Sequence, residues 1–231
     1  MVELVLHKIR KDFDERRVLA GVSCELDTGI VALLGANGAG KSTLLHILST
    51  QMTSSSGYFI LDGLHSEKDG EEIRKKIGMI GHRSFLYRHM NVRENLLFYA
   101  QLYTIQDAEE RIMLLAQQFK MEERLNSRIF ELSRGLLQRV AIMRALLHEP
   151  RLLLFDEPFT GLDTYSSGLL IEQLQEWRTS SRLVILTTHD LKRASSSAKR
   201  FLFLHNGKLK SDVDQVFSLT ELQEKFIEFS Q

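Results

Sequence analysis

The chain has 231 residues, with 30 Lys+Arg against 30 Asp+Glu, a formal net charge of zero, 43% hydrophobic residues and 26% charged ones. These values exclude a disordered or fibrous chain and suit one globular domain that buries about 70% or more of its unfolded surface. Charge balance also argues against a general basic footprint, so no nucleic-acid partner is expected, although a local cationic pocket stays open. The one cysteine, Cys24, cannot form an intramolecular disulfide and reads as a small core residue in a reducing compartment. Met1-Val2-Glu3-Leu4 starts no basic-then-apolar leader, and no apolar stretch reaches the 18 residues a membrane span needs. A role at a membrane would therefore be peripheral.

In chain order, the first strong element is an apolar run at residues 30–34, read as a buried strand of a parallel sheet. It runs into Gly35-Ala36-Asn37-Gly38-Ala39-Gly40-Lys41-Ser42-Thr43, followed by a helix over 42–48 with Leu44, Leu45 and Leu48 on one face. This is a phosphate-binding loop in its strand–loop–helix context. Glycines let backbone N–H groups converge on phosphate oxygens, and the helix adds its free donors and positive dipole end. Lys41 would place a charge at the β- and γ-phosphates, and the Ser42 hydroxyl would reach a magnesium ion. The residues predict a nucleoside-triphosphate site.

Residues 50–57 read as a polar loop, and 82–135 shows helical patterns with no convincing strand, as expected of a helical lobe (about 82–147) inserted in the core. A helix over 134–147 sets Leu136, Leu137, Val140 and Ala141 on one face. Next, a strand at 152–155 ends in Asp156-Glu157, where open α/β sheets bind ligands. Asp156 fits a magnesium ligand held through water, and Glu157 fits the general base for a water in line with the γ-phosphate; by themselves the two carboxylates could also be a solvated turn before Pro158. A third strand at 183–186 leads to Thr187-Thr188-His189-Asp190, and His189 would orient the water or hydrogen-bond a γ-phosphate oxygen. A last apolar strand, 201–205, turns through Asn206-Gly207 into residues 208–210, which reads as a hairpin with a tight turn. Ser218 and Glu221 then form a capping box that opens an amphipathic helix in a C-terminal tail (211–231). Strands alternating with helices make this a single α/β domain spanning 1–231.

The set GANGAGKST, LSRGLLQR (132–139), LLLFDEP (152–158), TGLD (160–163) and TTHD (187–190), in this order, resembles the ATP-binding cassette (ABC) ATPases from residue 4 to about 210. Leu132-Ser133-Arg134-Gly135 is the motif that separates this family from other phosphate-loop proteins. The resemblance implies a RecA-like P-loop NTPase core, a parallel sheet with an antiparallel β subdomain and the inserted helical lobe. It also implies ATP and Mg2+ as cofactors and an ATPase that dimerises head to tail, so that Ser133 and Gly135 of one copy touch the γ-phosphate held by Lys41 of the other. Phe13 resembles the residue that stacks on adenine, Asp163 the acidic residue that bridges the dimer, and His82 stands where the family usually has the glutamine that links metal and water to a membrane partner. Phe85, Leu86, Tyr87 and Met90 are expected either to line that partner's docking groove or to pack within the lobe.

Gly81-His82 with Glu94-Asn95-Leu96 is similar to one subgroup, the ATP-binding subunit of the haem exporter in cytochrome c maturation. The expected function is therefore the ATPase of a transporter, peripheral at the cytoplasmic face of the inner membrane and working with a separate transmembrane subunit. The alternatives are another exporter (drug, ion or lipid) and a soluble ATPase of iron–sulfur cluster assembly.

Overall fold

The computed structural model describes residues 2–81, 83–160, 162, 164–177 and 181–230. The chain runs β1 (Leu4–Phe13), β2 (Arg16–Leu26), β3 (Gly29–Leu34), α1 (Lys41–Leu48), β4 (Ser56–Leu61), β5 (Leu64–His65), α2 (Gly70–Lys75), β6 (Ile77–Ile80), α3 (Val92–Leu102), α4 (Ala108–Gln118), α5 (Arg134–Leu146), β7 (Leu152–Asp156), α6 (Thr164–Trp177), β8 (Leu183–Thr187), α7 (Leu191–Ser197), β9 (Arg200–His205), β10 (Lys208–Asp214) and α8 (Leu219–Ser230). Two single turns of 3-10 helix, Glu122–Arg124 and Ile129–Glu131, lie between α4 and α5.

Two sheets organise these elements. One is antiparallel, in the order β2-β1-β4-β5; the other follows β10-β9-β3-β8-β7-β6 and is parallel except for the β9–β10 hairpin. The four apolar strands read from the sequence are β3, β7, β8 and β9, all in the six-stranded sheet. Their unbroken apolar runs follow from burial on both faces. Along β7, Leu152 and Leu154 enter the core shared with α1 and the antiparallel sheet, while Leu153 and Phe155 enter the core shared with the lobe and the later helices. Each such side chain contributes about 1.5–3 kcal/mol by leaving water.

The β9–β10 hairpin turns through Asn206 and Gly207, both with positive φ (47° and 73°), as a two-residue turn between twisted strands requires. A Cβ on Gly207 would lie 2.3 Å from the Val18 carbonyl, so glycine also permits this turn to seat on β2. The strand after the turn reaches Asp214, and the helical tail starts at Leu219 and not at 211. Polar alternation at an exposed edge, with only Leu209, Ser211 and Val213 half-buried, hides the continuation of that strand beyond Lys210. Ser218 and Glu221 form both bonds of the capping box. From there α8 buries Leu222 and packs Phe229 on Phe203, 4.9 Å between ring centroids, so the tail docks on its own domain.

The lobe is built from α3, α4 and the start of α5; its one β feature among the described residues is a single bridge between Asn91 and Arg128. Asn95 is fully buried within it. Its amide accepts from Tyr87 N–H (2.7 Å) and donates to the carbonyls of Tyr87 (3.1 Å) and Asn91 (2.9 Å), tying the segment that leads into the lobe to α3. Glu94 completes a capping box with Asn91. Cys24 is half-buried against the core, and burial pushes its thiol up to about 12, in keeping with the structural role read from the sequence.

At the junction of lobe and sheet, His148 stacks on Tyr103 at 3.9 Å, and its Nε2 lies 2.9 Å from the Ile77 carbonyl. Burial disfavours the imidazolium and lowers its pKa from 6.5 to about 4, more than the Ile77 contact raises it. Between those values the unfolded chain binds a proton that the folded chain refuses. His148 therefore contributes stability that is complete above pH 6.5 and is lost as pH falls toward 4. Wild type should lose about 2 kcal/mol more than His148→Phe between pH 7.5 and pH 5, read by urea unfolding at both pH values.

Candidate functional site

The sheet order places β3, β8 and β7 side by side and parallel, so the segments leaving their carboxyl ends share one rim. Register tightens this arrangement: Thr187, the last residue of β8, sits opposite Leu33 on one side and Asp156 on the other. Its buried hydroxyl donates to Asp156 Oδ1 (2.8 Å) and accepts from the Glu157 N–H (3.0 Å). Ser42 Oγ donates to the same Asp156 oxygen at 3.1 Å, joining the head of α1 to the end of β7. Glu157 has φ 54°, a left-handed conformation that turns the chain sharply at the end of β7. His189 Nε2 comes within 3.1 Å of Glu157 Oε1, yet that buried oxygen makes no hydrogen bond, so the imidazole sits off the line that a hydrogen bond needs.

The phosphate-binding loop wraps this rim. A Cβ on Gly35 would fall 2.2 Å from the Leu204 carbonyl, so the loop packs against β9 backbone to backbone, and Gly207 N–H donates to the Ala39 carbonyl (3.1 Å). Ala36, Asn37 and Gly38 are exposed at the tip; Ala39, Gly40 and Lys41 are buried beneath it, and Thr43 is half-buried on α1. Lys41 donates to the carbonyls of Gly35 (2.7 Å) and Ala36 (3.1 Å). Burial lowers its pKa from the usual lysine value, and the carboxylates of Glu157 and Asp156 oppose that shift.

A groove of about 360 Å³ results, lined by Arg16, Val18, Asn37, Gly38, Gly40, Lys41, Ser42, Thr43, Asp156, Glu157 and His189. Its volume lies within the range of small-molecule and nucleotide sites. Ser42 Oγ and Asp156 supply the hard oxygen donors that magnesium prefers, and the donating hydroxyl keeps lone pairs for a cation. Arg16 and Val18 carry no motif signal, and only the path of β2 brings them to the groove. Phe13 does not line it: the ring is 42% exposed at the hairpin end, opposite Arg16 in register, with Lys11 Nζ 5.1 Å from its centre.

Ser133 and Gly135 are also absent from this lining. Ser133 caps α5, its Oγ accepting from Leu136 N–H at 3.4 Å, and is exposed, whereas Gly135 is buried. A second hollow lies between α5 and the end of β7, lined by Gly81, Ser84, Arg134, Leu137, Gln138, Asp156, Glu157 and Thr160. His82 and Asp163, expected to couple and to bridge, lie outside the described residues.

A family model described as "ABC transporter" matches residues 19–160. The chain belongs to the ABC transporter family. The ABC ATPase is 32% identical over 207 residues to the ABC transporter ATP-binding protein NatA of Bacillus subtilis, covering 87% of this chain and 84% of NatA. It is 31% identical to the Nod factor export ATP-binding protein I of Rhizobium etli, covering 90% of this chain and 67% of that protein. The solved structure of an ATP-binding subunit of an ABC transporter superposes with a TM-score of 0.88 at 30% identity, over 97% of this chain and 99% of that one. A dimeric ATP-binding cassette in a post-hydrolysis state with ADP and phosphate shares the fold, with a TM-score of 0.83 at 23% identity over 93% and 99% of the two chains. As a member of this family the chain is an ATPase that works with a membrane transporter component.

Removing the Thr187 hydroxyl strips one donor from Asp156 and leaves the Glu157 N–H unpaired. Thr187→Val should lower unfolding free energy by about 2 kcal/mol and reduce ATP turnover, while Thr187→Ser should recover most of both, as read by urea unfolding and phosphate release.

Proposed function

We propose that this ABC ATPase binds ATP between two copies of the chain and uses the resulting closure to drive a separate membrane subunit. In this reading Lys41 and the N–H groups of residues 35–43 hold the β- and γ-phosphates. Ser42 and Asp156 hold magnesium, which when bound neutralises phosphate charge. Glu157 takes the proton of the attacking water, and His189, whose Nε2 lies 3.1 Å from Glu157 Oε1, orients that water or a γ-phosphate oxygen. Phe13, beside the groove on the hairpin, offers an exposed ring to adenine.

The observation that carries the dimer is the separation of Ser133 and Gly135 from the groove of their own chain. An exposed serine at the head of α5 presents a hydroxyl and free helix donors to an anion arriving from outside. Shifting an equilibrium from 1:99 to 99:1 needs roughly 5.5 kcal/mol, or about 2.7 kcal/mol at each of two sites. A charge-assisted hydrogen bond to phosphate contributes about 1.5–3 kcal/mol. One or two contacts per site from Ser133 and the Gly135 N–H therefore suffice to close the dimer, and loss of the γ-phosphate reopens it. His82 and Asp163 keep their coupling and bridging roles in this proposal.

Among the described residues no helix is long and apolar enough to cross a membrane. The working position proposed is peripheral, at the cytoplasmic face of the inner membrane. Phe85 and Tyr87, 41% and 50% exposed, form the docking surface, while Leu86 packs inward.

For cargo, Gly81-His82 and Glu94-Asn95-Leu96 favour haem for cytochrome c maturation. The capping and buried hydrogen bonds of Glu94 and Asn95 are work that any lobe of this design needs, and one relative is named for Nod factor export. Another exported molecule is therefore the second reading. The membrane protein that co-purifies with the chain decides between them: a haem-binding partner supports the first, and a partner unable to bind haem supports the second.

Glu157→Gln should keep ATP binding, lower turnover at least hundredfold and trap an ATP-dependent dimer on size-exclusion chromatography. Ser133→Arg should bind ATP as wild type does and form no such dimer; normal ATP-induced dimerisation of this variant would reject the shared site.

A further inference from the structure

We propose that Arg16 is a direct ligand of the α/β end of the ATP triphosphate, setting nucleotide affinity and leaving the chemical step unchanged. This rests on the nucleotide site described above and adds a residue that belongs to none of its motifs.

Three observations carry it. First, Arg16 lines the groove together with Asn37, Gly38 and Lys41, and its Nη2 lies 3.9 Å from the position a Cβ on Gly38 would occupy. The guanidinium thus stands one atomic layer from the middle of the phosphate-binding loop. Second, among the described residues Arg16 makes no ion pair, whereas its neighbour Arg17 is held by Asp12 at 3.0 Å. The exposed guanidinium keeps its fork of donors for an incoming anion.

Third, the groove needs this charge. Of the side chains lining it, Arg16 and Lys41 are cations, Asp156 and Glu157 are carboxylates, and the two pairs balance. With Arg16 removed, Lys41 alone faces the two carboxylates, and magnesium must offset more of the triphosphate charge. The register decides which part of the triphosphate Arg16 meets. It lies opposite Phe13 across the β1–β2 hairpin, on the side where the adenine platform is proposed, whereas Asp156, Glu157 and His189 gather at the hydrolytic end. One hairpin would then present a ring to the base and a guanidinium to the phosphates beside it.

Isothermal titration of the full chain with Mg-ATP and Mg-ADP tests this, using Arg16→Gln, Arg16→Lys, Arg17→Gln and Lys41→Ala. Arg16→Gln should weaken ATP and ADP equally, about tenfold each, as expected for an exposed charge-assisted contact. It should raise KM with kcat unchanged, and Arg16→Lys should recover most of the loss, while Arg17→Gln stays at the wild-type affinity. Unaltered ATP and ADP affinities in Arg16→Gln would overturn the proposal, as would equal weakening by Arg17→Gln. Weakening of ATP with ADP intact would move the contact to the γ-phosphate and so overturn its placement at the α/β end. Failure of the underlying nucleotide site is read separately, as an unchanged ATP affinity in Lys41→Ala.

Discussion

The parallel register that joins Leu33, Thr187 and Asp156 across three neighbouring strands is the constraint on which the site depends. Strands β3, β8 and β7 are buried on both faces, and a slip of one residue would turn every apolar side chain into the wrong core. Register thus depends on how the side chains fit the two cores, together with the polar contacts at the rim. The Thr187 hydroxyl converts that packing into chemistry by bonding both the Asp156 carboxylate and the Glu157 backbone. Distances between groups that are remote in sequence follow from the interior of the sheet.

A second consequence concerns the phosphate-binding loop, which is polar and has little core of its own. It holds its shape by lying directly on other backbone: Gly35 on the Leu204 carbonyl, and the Ala39 carbonyl on the hairpin N–H of Gly207. The C-terminal hairpin, legible in the sequence from its Asn-Gly turn, is therefore also part of the support of the loop. Burial beneath the loop also places the Lys41 ammonium among carbonyl oxygens and two nearby carboxylates, in a site where charge must balance.

The lobe reaches the same rim from the other side. Asn95 and the Asn91–Glu94 capping box stiffen it, Gln138 on α5 donates to the Pro158 carbonyl at 3.3 Å, and Arg144, buried in the same helix, donates to the Met79 carbonyl on β6. The phosphate end and the segment carrying Phe85 are thereby linked through packed elements, with the Arg144 guanidinium 5.5 Å from the Phe85 ring centre. In the proposed function, these contacts are the route by which nucleotide would act on a docked partner.

The residues alone determined the strand–loop–helix phosphate site, the carboxylates and histidine at strand ends, the Asn-Gly hairpin and the capped C-terminal helix. Each has a local signature: a glycine pattern, an unbroken apolar run, or a cap three residues from its partner. Strand β6 escaped because it is four residues long and interrupted by Gly78, and the signal for β10 stops at Lys210, short of Asp214, because its outer face is polar. Only the tertiary structure decided that Thr187 links the two carboxylate residues, that Arg16 and Val18 line the groove, and that Ser133 stands outside it. Those facts depend on strand order and on contacts between residues far apart in the chain, which no local spacing encodes.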